Sequence, residues 1–196
     1  MVYTLTDIKE NPNVLTYEVS WGRYDLLLRP LENNDLEIIA KFLEELSVDT
    51  RVNYVLDNYG SDTAREFCDS IARYDKLRFI LLNEGVVIGL FEFSMDFPYS
   101  DKIRFENYPL TVSMNRLCRF GPCILDAYQG QGLVPVVFPS LIDIAKKLGK
   151  EGMILWGGVF ADNLNAIKFY KKMGFVELGE FKNQDEKICK DMVLYF

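Results

Sequence analysis

The chain has 196 residues, of which 49% are hydrophobic, including 14 Phe and 11 Tyr, enough to bury the core of one domain without disulfide staples. Its formal charge of −7 argues against a nucleic-acid backbone as partner and leans towards cationic ones. It has no histidine, which argues against a Ser-His-Asp triad and against a zinc site, and Cys68, Cys118, Cys123 and Cys189 lack CxxC spacing.

The cysteines therefore read as reduced core thiols of a cytoplasmic protein. No apolar run reaches membrane-spanning length, and Asp7, Lys9 and Glu10 stand where a signal peptide would be apolar.

Residues 1–22 read as an N-terminal arm with one added strand and a turn at Asn11-Pro12-Asn13, ahead of a single domain over 23–196. Tyr24–Arg29 is a strand stopped by Pro30. After the N-cap pair Asn34-Asp35, residues Leu36, Ile39, Ala40, Leu43 and Leu46 recur at helical spacing. A second helix is predicted from Asp62 to Tyr74, with Thr63 and Glu66 at capping-box spacing and Ala64, Phe67, Cys68 and Ile71 as its apolar face. Strands Leu77–Leu82 and Val86–Phe97 flank a hairpin turn at Asn83-Glu84-Gly85.

Residues 98–116, with Pro98 and Pro109, read as an irregular loop, a lid or decoration. Arg119–Asp126 is a strand leading into a glycine-rich turn, and Val134, Val137, Phe138, Leu141, Ala145 and Leu148 trace a helix that ends at Gly149. Met153–Val159 is a continuous apolar run, typical of a strand covered on both faces. This strand–helix–strand unit implies parallel strands with a right-handed crossover. A helix over Asp162–Met173 closes at Gly174, and strands Phe175–Phe181 and Ile188–Phe196 finish the chain. The sum is a mixed α/β domain, a central sheet of about seven strands flanked by about four helices.

Two features carry chemistry. Gly130 and Gly132 let backbone N–H groups approach a bound group, and the helix start after them adds partial positive charge. This makes a phosphate site with no basic side chain, set against the plainer reading of a tight turn. In the strand before, alternation puts Leu90, Glu92, Ser94 and Asp96 on one sheet face. A glutamate in mid-sheet is costly unless solvated or paired, so Glu92 marks a cleft and is the candidate general base, acting through water; the competing reading is a carboxylate on a solvent-facing side. Asp126 is a weaker candidate base, or it orders the turn.

The turn itself reads Gln129-Gly130-Gln131-Gly132-Leu133-Val134, and downstream stand Asn163, Ala166, Phe169, Tyr170, Gly174 and Phe175 at the spacing Asn-x-x-Ala-x-x-Phe-Tyr with Gly-Phe following. Together the two segments resemble the GNAT superfamily of acetyl-CoA-dependent N-acetyltransferases, whose phosphate loop Gln/Arg-x-x-Gly-x-Gly/Ala is matched at Gln129 and Gly132. The match is clearest over residues 117–181. The resemblance implies a GNAT-like fold in which the turn Gln129–Val134, Gln131 included, holds the pyrophosphate through the amides of Gly130, Gly132, Leu133 and Val134. It implies that the backbone of Cys123, Ile124 and Leu125 bonds the pantetheine arm and polarises the thioester carbonyl, and that Asn163 contacts the cofactor. It makes Tyr170 the general acid for the departing thiolate, against the reading of a tyrosine packed on a helix face.

The implied reaction is direct acetyl transfer from acetyl-CoA to a primary amine, on a cationic small molecule or a protein N-terminus, with no metal, nucleic acid or membrane. Transfer of a longer acyl group, or to an alcohol, is a weaker reading. Phe105, Tyr108 and Leu194-Tyr195-Phe196 either pair two subunits as a homodimer or pack internally.

Three residues depart from the pattern. Val134 stands where the family prefers Gly or Ala, Pro135 lacks an N–H, and Pro139 should kink the helix. They motivate the alternative of a non-catalytic CoA-binding, sensor or interaction module on the same fold.

Overall fold

Successive hairpins build the first half of the molecule. The structure is a computed structural model; it describes residues 1–73 and 75–196, with the backbone alone for 70–73. A short helix α1 (Leu5–Glu10) and a 3-10 turn lead into β1 (Tyr17–Trp21), which pairs antiparallel with β2 (Tyr24–Pro30). Helices α2 (Leu36–Glu45), α3 (Val48–Asn53) and α4 (Ser61–Arg73) follow, then β3 (Lys76–Asn83) and β4 (Val86–Ser94). Between the last two, Glu84 and Gly85 have φ of 49° and 82°, the left-handed pair that matches strand twist in a two-residue hairpin.

Helix α5 (Tyr99–Glu106) precedes β5 (Leu117–Ile124), which runs antiparallel to β4. Helix α6 (Leu133–Lys147) then carries the chain over to β6 (Gly152–Leu155), parallel to β5. After β7 (Val159–Phe160) and α7 (Leu164–Lys172), β8 (Val176–Lys182) and β9 (Ile188–Tyr195) complete the sheet. Its order is β1-β2-β3-β4-β5-β6-β9, with β7 and β8 both paired to β9.

The mixed α/β architecture expected from the sequence is present, with nine strands rather than about seven. One extra strand is β1; the other arises because the apolar run Met153–Val159 is not continuous. Gly157 and Gly158, with φ of 72° and 70°, break it into β6 and β7, since two successive left-handed residues cannot continue a strand. Residues 98–116 are not irregular throughout: they contain α5 and a 3-10 turn at Met114–Arg116. Phe105 is fully buried there with Leu117, Ile154 and Val193, an apolar demand too sparse in sequence to show as a period.

Helix α3, six residues with none buried, has no apolar period that would mark it in the sequence. Thr63 is inside the first turn of α4 rather than capping it, and its hydroxyl donates to Asn58 O and Oδ1. The expected helix end at Tyr74 and the expected core role of the Ile71 side chain lie outside the described residues. Helix α6 runs on through Pro139, which sits on its exposed side. Residues 1–22 contribute to the core through the fully buried Ile8 and Leu15. Phe105 packs internally, Tyr108 donates to Asp191 at 3.0 Å, and Leu194 is buried.

The sheet is covered on both sides. Helices α6 and α7 lie over the aromatic side, where Phe79, Phe91, Phe93, Phe120, Phe138 and Phe175 share one cluster. On the other side α2 and α4 cover Ile80, Leu82 and Leu90, and α5 covers the β6–β9 half.

Candidate active site

The site begins where two strands part. β5 stays paired to β4 as far as Ile124, and Leu125 N–H continues that ladder to Ile88 O at 3.0 Å. Its pairing with β6 stops early, at Phe120, whose carbonyl accepts Trp156 N–H at 2.8 Å. Backbone groups of alternate strand residues point to opposite edges, so Pro122 and Ile124 face the gap with Phe120, while Cys123 faces Leu90 of β4. Pro122 has no N–H, and Ile124 O is taken by Gln129 Nε2 at 2.8 Å. Of the three residues expected to bond a pantetheine arm, Ile124 offers its N–H to the gap, whereas Leu125 N–H is already used.

The glycine turn sits at the mouth of this gap. Gly130 and Gly132 have φ of 70° and 76°, a region open to glycine and strained for other residues. Gly132 caps α6 without a side-chain hydrogen bond to the helix start, so the amides of Leu133 and Val134 carry the dipole's positive end with no side-chain cap of their own. The side chains of Gln129 and Gln131 brace the turn: Gln129 also donates to Thr50 Oγ1 at 2.9 Å, and Gln131 donates to Ala127 O. Asp126 orders it further. Its carboxylate accepts Ser47 N–H at 3.0 Å and the hydroxyls of Ser47 and Thr50 at 2.5 and 2.8 Å.

Asn163 caps α7 by accepting Ala166 N–H at 3.1 Å and donates to Asn53 Oδ1 at 2.8 Å. About two helical turns further, Tyr170 is half-buried, with its ring 5.3 Å from Phe169 and 5.4 Å from Phe175. Among the described residues its hydroxyl makes no hydrogen bond. Burial pushes the phenol well above its ordinary value of 10.0, and the nearby Cys123 adds to the shift. Cys123 is raised in the same way, first by burial and then by Glu92 and Asp126, so its thiol stays protonated at neutral pH and is no nucleophile.

Glu92 is 6% exposed. It is paired rather than solvated: Oε1 accepts Arg78 Nε at 2.6 Å and Oε2 accepts the Tyr54 hydroxyl at 2.6 Å. Arg78 in turn lies 3.8 Å over the Phe67 ring. Opposite Glu92 on β5 is Gly121, where an added methyl would come 3.9 Å from Glu92 Oε2 and 3.8 Å from Trp156 Cβ. Tyr54 was not anticipated from sequence. It follows a helix too short for periodicity, and nothing local marks it as a partner of a residue 38 positions away.

The expected residues thus converge. Cys123, next to the end of β5, feels the charges of Glu92 and Asp126 and adds to the shifts of Tyr54 and Tyr170, so the candidate acid and the candidate base both lie within electrostatic reach of the end of β5 that leads into the phosphate turn. Lys147 and Lys171 are occupied by Asp143 and Glu177 at 2.9 and 3.4 Å. Among the described residues no group of three His, Cys, Asp or Glu could hold a metal, and no helix is long and apolar enough to cross a membrane.

Comparison with known proteins agrees with this fold. The family model of the acetyltransferase (GNAT) family matches residues 39–175. Among solved structures, the GNAT domain of S. lividans PAT superposes with a TM-score of 0.70 at 15% identity, covering 94% of this chain and 99% of its own. An aminoglycoside acetyltransferase in complex with coenzyme A gives 0.68 at 17% identity, covering 87% and 94%. A spermidine N-acetyltransferase chimera from Vibrio cholerae and hSSAT gives 0.64 at 23%, covering 87% and 95%. The chain belongs to the GNAT acetyltransferase family and is an acyltransferase.

Proposed function

We propose that the chain moves an acetyl group from acetyl-CoA to a primary amine by direct attack on the thioester, with Glu92 as general base and Tyr170 as general acid. The observation that carries this reading is the early parting of β5 from β6 after Phe120, with the uncapped glycine turn at the end of β5 and Glu92 opposite Gly121 beside the opening. Acetyl-CoA, the family's cosubstrate, supplies the acetyl group as an activated thioester. The turn fits its pyrophosphate: the amides of Gly130, Gly132, Leu133 and Val134 need no competing side-chain cap, and Pro135 removes only one donor. Ile124 N–H fits an extended arm laid along the open edge of β5.

The protein's own residues then handle two protons. An amine arrives as an ammonium and must lose a proton before it attacks. Arg78 and Tyr54 use one bond on each Glu92 oxygen, which leaves lone pairs for a water that relays that proton. Tyr170, held neutral by its burial, has its hydroxyl free to donate to the departing thiolate.

The acceptor is a primary amine. The net charge of −7 and the spermidine and aminoglycoside enzymes among the structural relatives make a polycation the first to test, ahead of a peptide N-terminus. The free cysteines fit a reducing compartment, and the cytoplasm is the proposed location.

A thermal melt with and without acetyl-CoA, repeated on Gly132→Glu, tests the cofactor half. Ligand at a hundred times its Kd should stabilise by about 2.7 kcal/mol, or roughly 5–10 °C for a domain of this size. The shift should vanish in the variant. No shift in the wild type would defeat the reading; a shift justifies a panel of spermidine, an aminoglycoside and an N-terminal peptide.

A further inference from the structure

Helix α3 and its two flanking residues are bonded to three parts of the candidate site: the phosphate turn, the α7 cap and Glu92. None of its six residues is buried, and Val48 and Val52 are 75% and 51% exposed. A helix of fewer than two turns has little stability of its own. With no buried apolar side chain, its position depends on its hydrogen bonds, which is the condition for a segment that shifts at low cost.

Arg51 ties α3 back to α2 through Leu43 O and Glu44 O at 3.2 and 2.8 Å, and the bonds to the site run in three directions. At its start, Ser47 and Thr50 donate to Asp126, and Thr50 accepts from Gln129, so α3 is fastened to the phosphate turn. At its last residue, Asn53 accepts from Asn163 at the start of α7. One residue on, Tyr54 donates to Glu92. A single element of low intrinsic stability therefore spans the turn, the α7 cap and the carboxylate.

We propose that α3 couples the two substrate sites: a phosphate group on the Gln129–Val134 turn fixes Asp126, Asp126 fixes α3, and α3 holds Glu92 through Tyr54 in position for the amine. This rests on the acetyl-transfer reading above. Tyr54 and Asp126 are positioning residues, since neither touches the reacting atoms.

Hydrogen exchange with coenzyme A as probe separates this proposal from the reading it rests on. In the wild type, coenzyme A should slow exchange at amides 129–134 and also at 50–55. In Asp126→Asn the turn should still be protected while the protection of 50–55 is lost. Protection at neither segment would sink the cofactor reading itself. Protection of the turn with 50–55 unchanged in the wild type, or retained in Asp126→Asn, would leave the cofactor reading standing and overturn the coupling.

A kinetic arm reads function. With the best amine of the panel and saturating acetyl-CoA, Tyr54→Phe and Asp126→Asn should each lower kcat about tenfold. Tyr54→Phe should leave the Kd for coenzyme A unchanged. Because the two residues act in series, the double variant should be no slower than the worse single one; losses that multiply would overturn the series. Tyr54→Phe removes only one hydroxyl, so it remains a usable variant if Asp126→Asn does not fold.

Discussion

The two faces of one strand differ more than two strands usually do. On β4, Phe91 and Phe93 point to the α6 and α7 side, into rings that touch on every side: Phe93 lies 5.7 Å from Phe79 and 5.3 Å from Phe120, and Phe91 stacks on Phe120 at 6.5 Å. The alternate residues, Glu92 and Ser94, point to the other side and are also buried. There the neighbours are Arg78 and Arg119, both 4% exposed, and Arg119 holds Asp96 at 2.6 Å while Arg104 holds Asp191 at 2.6 Å. An apolar residue could fill the place of a buried ion pair at equal or better stability. The aromatic face is thus organised for packing. The charged one carries Glu92 and its partner Arg78 next to the gap between β5 and β6, the expected mark of a site whose groups must be held in place.

Truncation on the aromatic face should give the largest effect. Phe120 contacts Phe91, Phe93 and Phe138, so Phe120→Ala should cost about 3–5 kcal/mol, read as a lower urea midpoint. Whatever fraction stays folded should bind coenzyme A as the wild type does. A loss below about 1 kcal/mol would mean the face collapses around the cavity and is less rigid than its ring geometry implies.

At the gap between β5 and β6 the larger effect should be on rate. Tyr170→Phe removes one hydroxyl that makes no hydrogen bond among the described residues, so stability should change by less than about 1 kcal/mol. Acetyl transfer should fall by about a hundredfold, equivalent to about 2.7 kcal/mol in the barrier. Steady-state rates across pH check this, and full activity in the variant would remove Tyr170 from its role.

Gly121→Ala sharpens the same contrast on a smaller scale. The added methyl meets only ordinary contacts, at 3.8 Å to Trp156 and 3.9 Å to Glu92, so the melting temperature should be nearly unchanged. It nevertheless fills space between the base and the gap, and turnover should fall by about tenfold, or about 1.4 kcal/mol. Unchanged turnover would move the reacting atoms away from Glu92.

How much of this contrast could be read in advance depends on the range of the interaction. Alternation alone put Leu90, Glu92 and Ser94 on one face, and the glycine turn and the Asn163–Tyr170 helix were legible because their spacing is local. The partner of Glu92 was not. Tyr54 reaches it from 38 residues away, and Arg78 from the neighbouring strand, through pairings that exist only once β3 and β4 are in register. Likewise Ser47 and Thr50 look like ordinary helix-start residues until Asp126, 79 and 76 positions on, is brought beside them. Helix α5 was hidden for a related reason: a single buried residue, Phe105, fixes it, and one residue has no period.

The smallest effect should come from the exposed rim of the charged face, and it is a matter of pH. Burial alone would raise the Asp126 carboxyl, but the hydrogen bonds from Ser47 and Thr50 outweigh it and hold it below its ordinary 3.8. A carboxyl whose folded pKa lies below its unfolded one adds stability that is complete above the unfolded value and is lost as pH falls through the folded one. The difference in melting temperature between wild type and Asp126→Asn should therefore be constant at neutral pH, shrink below about pH 4 and disappear once the carboxyl is protonated in both states. Because the group is exposed, its full size should be under about 1 kcal/mol. A difference that survived at pH 2 would mean that the fastening of α3 to the turn does not depend on charge, and that an amide at this position fails through geometry instead.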